Sequence, residues 1–345
     1  MRVLLVPYPD TWRIEGGHKT QLLQTARALR EAGAEVAIGD VGLARSSAAD
    51  VVHYFGDPRP LLDAGRPAGR FVVSPVYFPS WFEIGPHRWR GGRRAWAAAH
   101  LRHRLRSLRR PGMRRRQWVD VRARLQAMAE ADVIVTQSRA ETRLLEADAD
   151  GPLPDVRVAH NGVDPEFFDG SAARGRSIVG DEPFVLSVGR IEPRKNQLTL
   201  VRAMRSVPRR LVLVGAVLPG NEGYLRACAD ALPSLVHVPH LDRRVLPHVY
   251  AAADVHVLPS WYETTGLATL EALAAGAPCV AGLGPCVEDY FAGADGVRLN
   301  RPGDERGLRA SILAALDEPR GQGRELAARY TWDRTARELL DAYRH

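Results

Sequence analysis

Apolar positions along this chain fall into two series of short runs, each separated from the next by polar turns or by helically spaced stretches. The first series comprises residues 3–6, 35–38, 51–54, 71–76, 133–136 and 156–159, with amphipathic helices expected at 19–30 and 139–146. The second comprises 184–188, 211–214, 235–238, 254–258 and 278–281. Short, nearly continuous apolar runs bounded by turn signals read as strands buried on both faces, and alternation with helices predicts parallel sheets covered on both sides. Between the series, residues 161–176 are rich in Gly, Asp and Ser and show no periodicity, so a linker is expected there. The predicted organisation is a Rossmann-like domain at 1–160, a second at 177–330 and a C-terminal helix at 331–345. Two such domains facing across an interdomain cleft would bind ligands outside the carboxyl ends of their strands.

Length and composition fit this picture. A chain of 345 residues exceeds one ordinary core, and 45% apolar with 26% charged residues is globular. No run approaches the roughly 18 apolar residues that a membrane span needs. The opening MRVLLVPYPDTW reads as a buried strand entering a turn, its apolar core too short for a signal peptide. Cys228, Cys279 and Cys286 are an odd, unpatterned set, which points to a reducing cytoplasm and to neither a zinc site nor a disulfide frame.

Chemistry concentrates at residues 259–276, PSWYETTGLATLEALAAG. A buried strand ends at Pro259-Ser260, and Leu267, Leu270, Ala274 and Ala275 recur at helical spacing until Gly276 and Pro278. Glu263 thus lies in the loop above a strand end, and Glu271 more than a turn inside the helix. The helix start between them offers unpaired N–H groups to phosphate, while carboxylates accept hydrogen bonds from hydroxyls. The basic side chains add to this. Of 48, only Lys19 and Lys195 are lysine, and both lie beside expected phosphate sites. A compact ammonium suits a diphosphate where a guanidinium is too bulky. For Lys19 an exposed first-turn residue is the leading reading, with phosphate contact the alternative. Arg190 follows Gly189 at a strand end, where backbone can approach a ligand closely.

The 259–276 phrase resembles the E-x7-E signature of family 4 glycosyltransferases, retaining enzymes of the α/β GT-B fold that use nucleotide-sugar donors. Gly189-Arg190 with Lys195 resembles that family's diphosphate-binding pair, Asn161-Gly162-Val163-Asp164 its "NGVD", and Gly16-Gly17 its glycine pair near the donor phosphates. The ending TWDRTARELLDAYR is similar to its C-terminal helix. The resemblance implies that Glu271 binds ribose hydroxyls and Glu263 a donor-sugar hydroxyl. It also implies that Thr264, Thr265, Gly266 and Leu267 line the sugar pocket, and that Arg190, Lys195 and Glu263 form the catalytic set. No metal or other cofactor is expected. Two departures bear on substrates. Thr264-Thr265 stands where relatives often carry Gly-Phe, and Ser74-Pro75-Val76-Tyr77-Phe78 lacks the His that many relatives place after the fourth strand. Tyr77 and His53 are the acceptor-side candidates in its stead. Asp148-Ala149-Asp150 is a formal DxD, but it follows a helical run and reads as a polar loop.

Residues 81–124 form a second unusual region. From Arg88 to Arg124 there are 14 arginines and one acid, Asp120, a formal +13 in a chain of net +8, which leaves −5 elsewhere. Trp81, Trp89, Trp96 and Trp118 fall in the same region. Ala97, Leu101, Leu105 and Leu108 make one apolar stripe, with Arg102, Arg106, Arg109 and Arg110 off it. Arg and Trp beside such a stripe suit an interfacial helix on an anionic bilayer; packing on the N-terminal core, or an acidic acceptor, are the alternatives. No nucleic-acid motif accompanies the charge. The expected activity is transfer from a nucleotide diphosphate sugar to a lipid-linked or glycan acceptor in cell-envelope or polysaccharide assembly, by a cytoplasmic protein. A sugar phosphorylase, a nucleotide-sugar epimerase and a non-catalytic membrane scaffold are the rival readings.

Overall fold

The computed structural model describes residues 1–9, 11–13, 16–80 and 111–345, without the side chains of 111–119. The expected membrane-contact residues Trp96, Leu101, Arg102, Leu105, Arg106, Arg109 and Arg110 lie outside the described residues. The described chain forms two compact units, one of residues 1–80, 111–161 and 332–345 and one of 162–331.

The first unit holds strands β1 (Arg2–Pro7), β2 (Glu35–Ile38), β3 (Val51–Phe55), β4 (Arg70–Ser74), β5 (Val133–Thr136) and β6 (Asp155–Val158). They pair in parallel in the order β2-β1-β3-β4-β5-β6. Helices α1 (Gly17–Glu31), α2 (Val41–Ser46), α3 (Arg59–Ala64), α4 (Pro111–Ala129) and α5 (Arg139–Asp148) connect them. The second unit follows as α6 (Ala172–Val179), β7 (Phe184–Val188), α7 (Gln197–Met204), β8 (Arg210–Val214), α8 (Glu222–Ala231), β9 (Val236–Val238) and α9 (Leu246–Ala252). It continues as β10 (Val255–Leu258), α10 (Leu267–Ala274), β11 (Cys279–Gly282), α11 (Pro285–Phe291), β12 (Val297–Asn300), α12 (Glu305–Leu316) and α13 (Arg324–Ala328). Its parallel order is β12-β11-β10-β7-β8-β9.

Side chains alternate across the second sheet with the two-residue period of a strand. Val185, Leu211, Leu213, Val255, Val257 and Val280 enter one core. Phe184, Leu186, Val212, Val214, Cys279 and Ala281 enter the other. In each sheet the connections reverse direction once, between β1 and β3 in the first and between β7 and β10 in the second. Such a switch point leaves a crevice outside the strand ends, where open α/β sheets bind ligands.

Three expectations are corrected. Of the expected linker at 161–176, residues 162–176 belong to the second unit: Pro165–Asp169 form a 3-10 turn with Phe167 buried, and Ser171 caps α6. Its glycines hid this, but Gly175 is there for close packing, since a Cβ would lie 2.0 Å from the His248 carbonyl. The strand expected to reach residue 76 stops at Ser74, because Pro75 follows and Val76 adopts φ 47°. Finally, β12 is a short edge strand interrupted by Arg298, too polar to stand out as a run.

The C-terminal helix α14 (Trp332–Arg344) packs in the first unit. Tyr343 Oη lies 2.6 Å from His53 Nδ1, and Ser74 Oγ 2.8 Å from His53 Nε2. The His160 backbone N–H donates to Glu338 at 2.7 Å. His53 is wholly buried, which drives its pKa down to about 3 and keeps the ring neutral. Tyr77 is also buried, donating its hydroxyl to Asp148 at 2.6 Å. Both acceptor-side candidates therefore have structural partners inside the first unit's core, where a buried polar atom needs one.

Candidate functional site

Apart from Leu267 and Glu271, which lie in α10, each expected donor residue of the second unit lies on one of two loops at its switch point. The first follows β7. Gly189, at φ 154°, turns the chain so that Arg190 emerges directly from the strand end. Gly215, at the end of β8, permits this approach: a Cβ there would lie 2.2 Å from the Gly189 carbonyl. Pro193–Lys195 then make a 3-10 turn, and Asn196 in the left-handed region starts α7. The second loop follows β10 and carries Trp261, Tyr262, Glu263, Thr264 and Thr265 to Gly266, whose φ of 78° opens α10.

The loops are stitched together by backbone and charge. The Trp261 N–H donates to the Arg194 carbonyl at 2.9 Å, and Asn196 Nδ2 donates to the Pro259 carbonyl at 3.0 Å. Arg194 Nη1 reaches the Tyr262 carbonyl at 3.1 Å and lies 3.7 Å from Glu263 Oε2. At the centre, Lys195 Nζ lies 2.5 Å from Glu263 Oε1, both side chains being only 12–13% exposed. Burial alone would raise the Glu263 pKa, but Lys195 and Arg194 overcome it and hold the carboxyl at about 2. Burial also pulls the Lys195 ammonium down, with Glu263 opposing. Arg190 is partly buried, its Nη2 3.4 Å from Glu192 Oε1. Thus Arg190, Lys195, Glu263 and the start of α10 share one end of one sheet. The Thr269 N–H donates to the Gly266 carbonyl at 2.8 Å, whereas the N–H groups of Leu267 and Ala268 precede any carbonyl of the helix that could accept from them and lie at the positive end of its dipole.

Glu271 lies inside α10 and is buried. Arg243 Nη1 donates to its Oε1 at 2.9 Å and Tyr250 Oη to its Oε2 at 3.0 Å. Arg243 also binds Asp164 and lies over the Phe167 ring at 5.0 Å. Burial raises the Glu271 pKa, with Arg243 and Tyr250 pulling against it. Sequence reasoning missed Arg194, Arg243, Tyr250 and His256. Arg194 could have been found beside Lys195. Arg243 carried no such signal, because only the fold brings it to Glu271. His256 of β10 is wholly buried 5.3 Å from the Tyr250 ring, with no hydrogen-bond partner for either nitrogen among the described residues. Burial, with Lys195 adding to it, lowers its pKa to about 3, so it is neutral.

The remaining expected residues belong to the first unit. Gly16 caps α1 at φ 154° and Gly17 opens it, with the Lys19 N–H donating to the Gly16 carbonyl at 3.1 Å. In the DxD stretch, Asp148 accepts from Tyr77 and Ser80, and Asp150 pairs with Arg122 at 2.7 Å. Among the described residues, no three His, Cys, Asp or Glu cluster as a metal site, and no helix is long and apolar enough to cross a membrane.

The second unit can seat an anion on cations and helix N–H groups, with two largely buried carboxylates placed to accept from hydroxyls. The family model described as "Glycosyl transferases group 1" matches residues 172–332. The chain is 33% identical to the D-inositol 3-phosphate glycosyltransferase of Stackebrandtia nassauensis, over 95% of this chain and 86% of that protein. It is 28% identical to the Mycolicibacterium smegmatis protein of the same name, with the same coverages. Among solved structures it is similar to sucrose-phosphate synthase from Thermosynechococcus elongatus, with TM-score 0.77, 19% identity and coverage of 100% and 98%. Anabaena Alr3699/HepE in complex with UDP and glucose gives TM-score 0.74 at 15% identity, covering 99% and 98%. At those identities the structural likenesses establish the fold.

Proposed function

The chain belongs to the group 1 glycosyltransferases, transferring sugar from a nucleotide sugar, and from that membership we propose a donor site in the second unit, retention of configuration and a lipid-linked or glycan acceptor. The observation that carries the site assignment is the largely buried Lys195–Glu263 pair, which ties the loop after β7 to the loop after β10. An ammonium has three N–H donors, so Lys195 can hold Glu263 and still reach a phosphate oxygen. Negative charge develops on the departing nucleotide diphosphate. Arg190, Lys195 and the α10 N–H groups of the second unit stabilise it there without a metal ion. Glu263, kept ionised, accepts from a donor-sugar hydroxyl, and Glu271 accepts from the ribose. The departing phosphate takes the acceptor proton as the new bond forms on the face it leaves.

The +13 stretch from Arg88 to Arg124 supports the acceptor assignment, since basic and aromatic residues together suit docking on an anionic membrane. A phosphorylated polyol is the second acceptor, favoured by the names of the curated relatives. The same arginines would attract its phosphate.

A donor panel tests the site. Melting temperature is measured with UDP, GDP, ADP and their sugars, in EDTA, for wild type and Lys195→Ala, each against its own unliganded baseline. One base raises the wild-type melting temperature through mass action, and the variant loses that rise. A flat wild-type panel, or an equal rise in the variant, would sink the donor assignment. The preferred donor is then offered inositol phosphates, glycans and polyprenyl-linked sugars. Turnover on the phosphorylated polyol alone would replace the lipid or glycan acceptor.

A further inference from the structure

Glu271 is held by a side chain that the donor-site assignment leaves without a role. Arg243 precedes α9 and makes a bridge, its Nη1 2.9 Å from Glu271 Oε1 and its Nη2 2.6 Å from Asp164 Oδ2. Its Nε also reaches Asp164 at 3.1 Å, and the guanidinium plane is supported by Phe167. Asp164 is only 5% exposed at its side chain. Arg243 is therefore fixed on three sides by the 163–169 stretch and α10. On the other carboxylate oxygen, Tyr250 supplies one hydrogen bond from α9.

A carboxylate has about four lone-pair sites, two on each oxygen. Arg243 takes one site on Oε1 and Tyr250 one on Oε2, so each oxygen keeps one. Two remaining acceptor sites, one per oxygen, match a vicinal diol donating twice. Resting on the assignment of Glu271 to the donor ribose, we propose that Arg243 is a positioning residue that fixes the Glu271 carboxylate, oriented and ionised, so that both ribose hydroxyls can donate to it.

Other groups near Glu271 do not replace Arg243. Asp164 is an acid and repels it. Tyr250 is pushed well above its usual pKa by burial and stays a neutral donor. His256, against the Tyr250 ring, is neutral, and burial keeps the Cys279 thiol of β11 protonated. Arg324 of α13 is committed to the Phe168 carbonyl, and Glu166 and Asp169 of the 3-10 turn are exposed. With Arg243 present, burial already raises the Glu271 pKa. Without it, burial is opposed by Tyr250 alone, and the Glu271 pKa moves further up, toward the protonated form that donates where the ribose needs an acceptor.

The test is a pH series from 6 to 9 on wild type, Arg243→Met, Arg243→Lys and Glu271→Gln. Calorimetry measures the preference for UDP, GDP and ADP over their 2′-deoxy forms, which cancels ionisation of the phosphates. In wild type the ribose preference is flat across the range. In Arg243→Met it matches wild type at pH 9 and falls by about tenfold toward pH 6, one decade per pH unit below the shifted pKa being the limit. Arg243→Lys restores most of it by keeping the charge. Glu271→Gln loses it at every pH. A flat profile in Arg243→Met beside a loss in Glu271→Gln would overturn the role of Arg243 alone. An intact preference in Glu271→Gln would overturn the ribose assignment as well. If Arg243→Met does not fold, Arg243→Gln carries the test: it keeps a polar side chain but no charge beside Glu271 and should give a pH slope of the same sign, and no pH slope there would equally refute the role.

Discussion

Glu263, largely buried, and Glu271, buried, lie eight positions apart, yet their surroundings pull them in opposite directions. Two cations hold Glu263 near pKa 2, below an ordinary 4.5, whereas burial outweighs Arg243 at Glu271. The depressed value at Glu263 contributes stability that is full above about pH 4.5 and is lost as pH falls toward 2, roughly 3 kcal/mol in all. Removing its partner leaves a buried charge poorly compensated. Lys195→Met should therefore cost about 3 kcal/mol or more at pH 7 in urea unfolding, and Lys195→Met, Glu263→Gln together should recover part of it. A single-variant cost under about 1 kcal/mol would mean that the pair is solvated. Lys195 and Glu263 were legible because each follows an apolar run that ends in a turn. Arg243, Tyr250 and His256 were not, because nothing local distinguishes them from other polar residues; their role exists only once β10, α9 and α10 have packed.

Elements were legible where apolar runs were clean. Strands 35–38, 133–136 and 184–188 are found at the expected residues, each a run that includes β-branched side chains. Legibility failed where glycine served packing. Gly170 and Gly175 read as linker residues, yet α6 lies against α9 so closely that a Cβ at either would fall within 2.3 Å of a carbonyl oxygen. Gly215 is the case with a functional consequence. It has φ 144° and its missing Cβ would be 2.2 Å from the Gly189 oxygen. Gly215→Ala should cost more than about 1 kcal/mol and move the Gly189-Arg190 turn, so the nucleotide-dependent rise in melting temperature should shrink with it. An unchanged rise in a folded Gly215→Ala protein would show that Arg190 does not depend on that approach.

At the scale of the whole molecule, charge is segregated: +13 within 88–124 and −5 over the remainder. Binding to vesicles of phosphatidylglycerol should therefore be strong in low salt and fall steeply as salt rises, as each basic residue near the surface contributes ~1 kcal/mol. Glutamine at Arg102, Arg106, Arg109 and Arg110 should weaken it by at least tenfold, and unchanged cosedimentation would remove the membrane from the picture. The order of the chain has a further consequence. Helix α14 belongs to the first unit, where Tyr343 meets His53 and Glu338 meets His160. On the ribosome, therefore, the unit that begins first is completed last: β1 to β6 emerge early, but His53 lacks its Tyr343 partner until residues 332–345 have been made. At translation speeds of about 5–20 residues per second, the intervening 162–331 stretch occupies roughly ten seconds or more. Throughout that interval α1 and β5 lack the packing of α14 that completes the first unit.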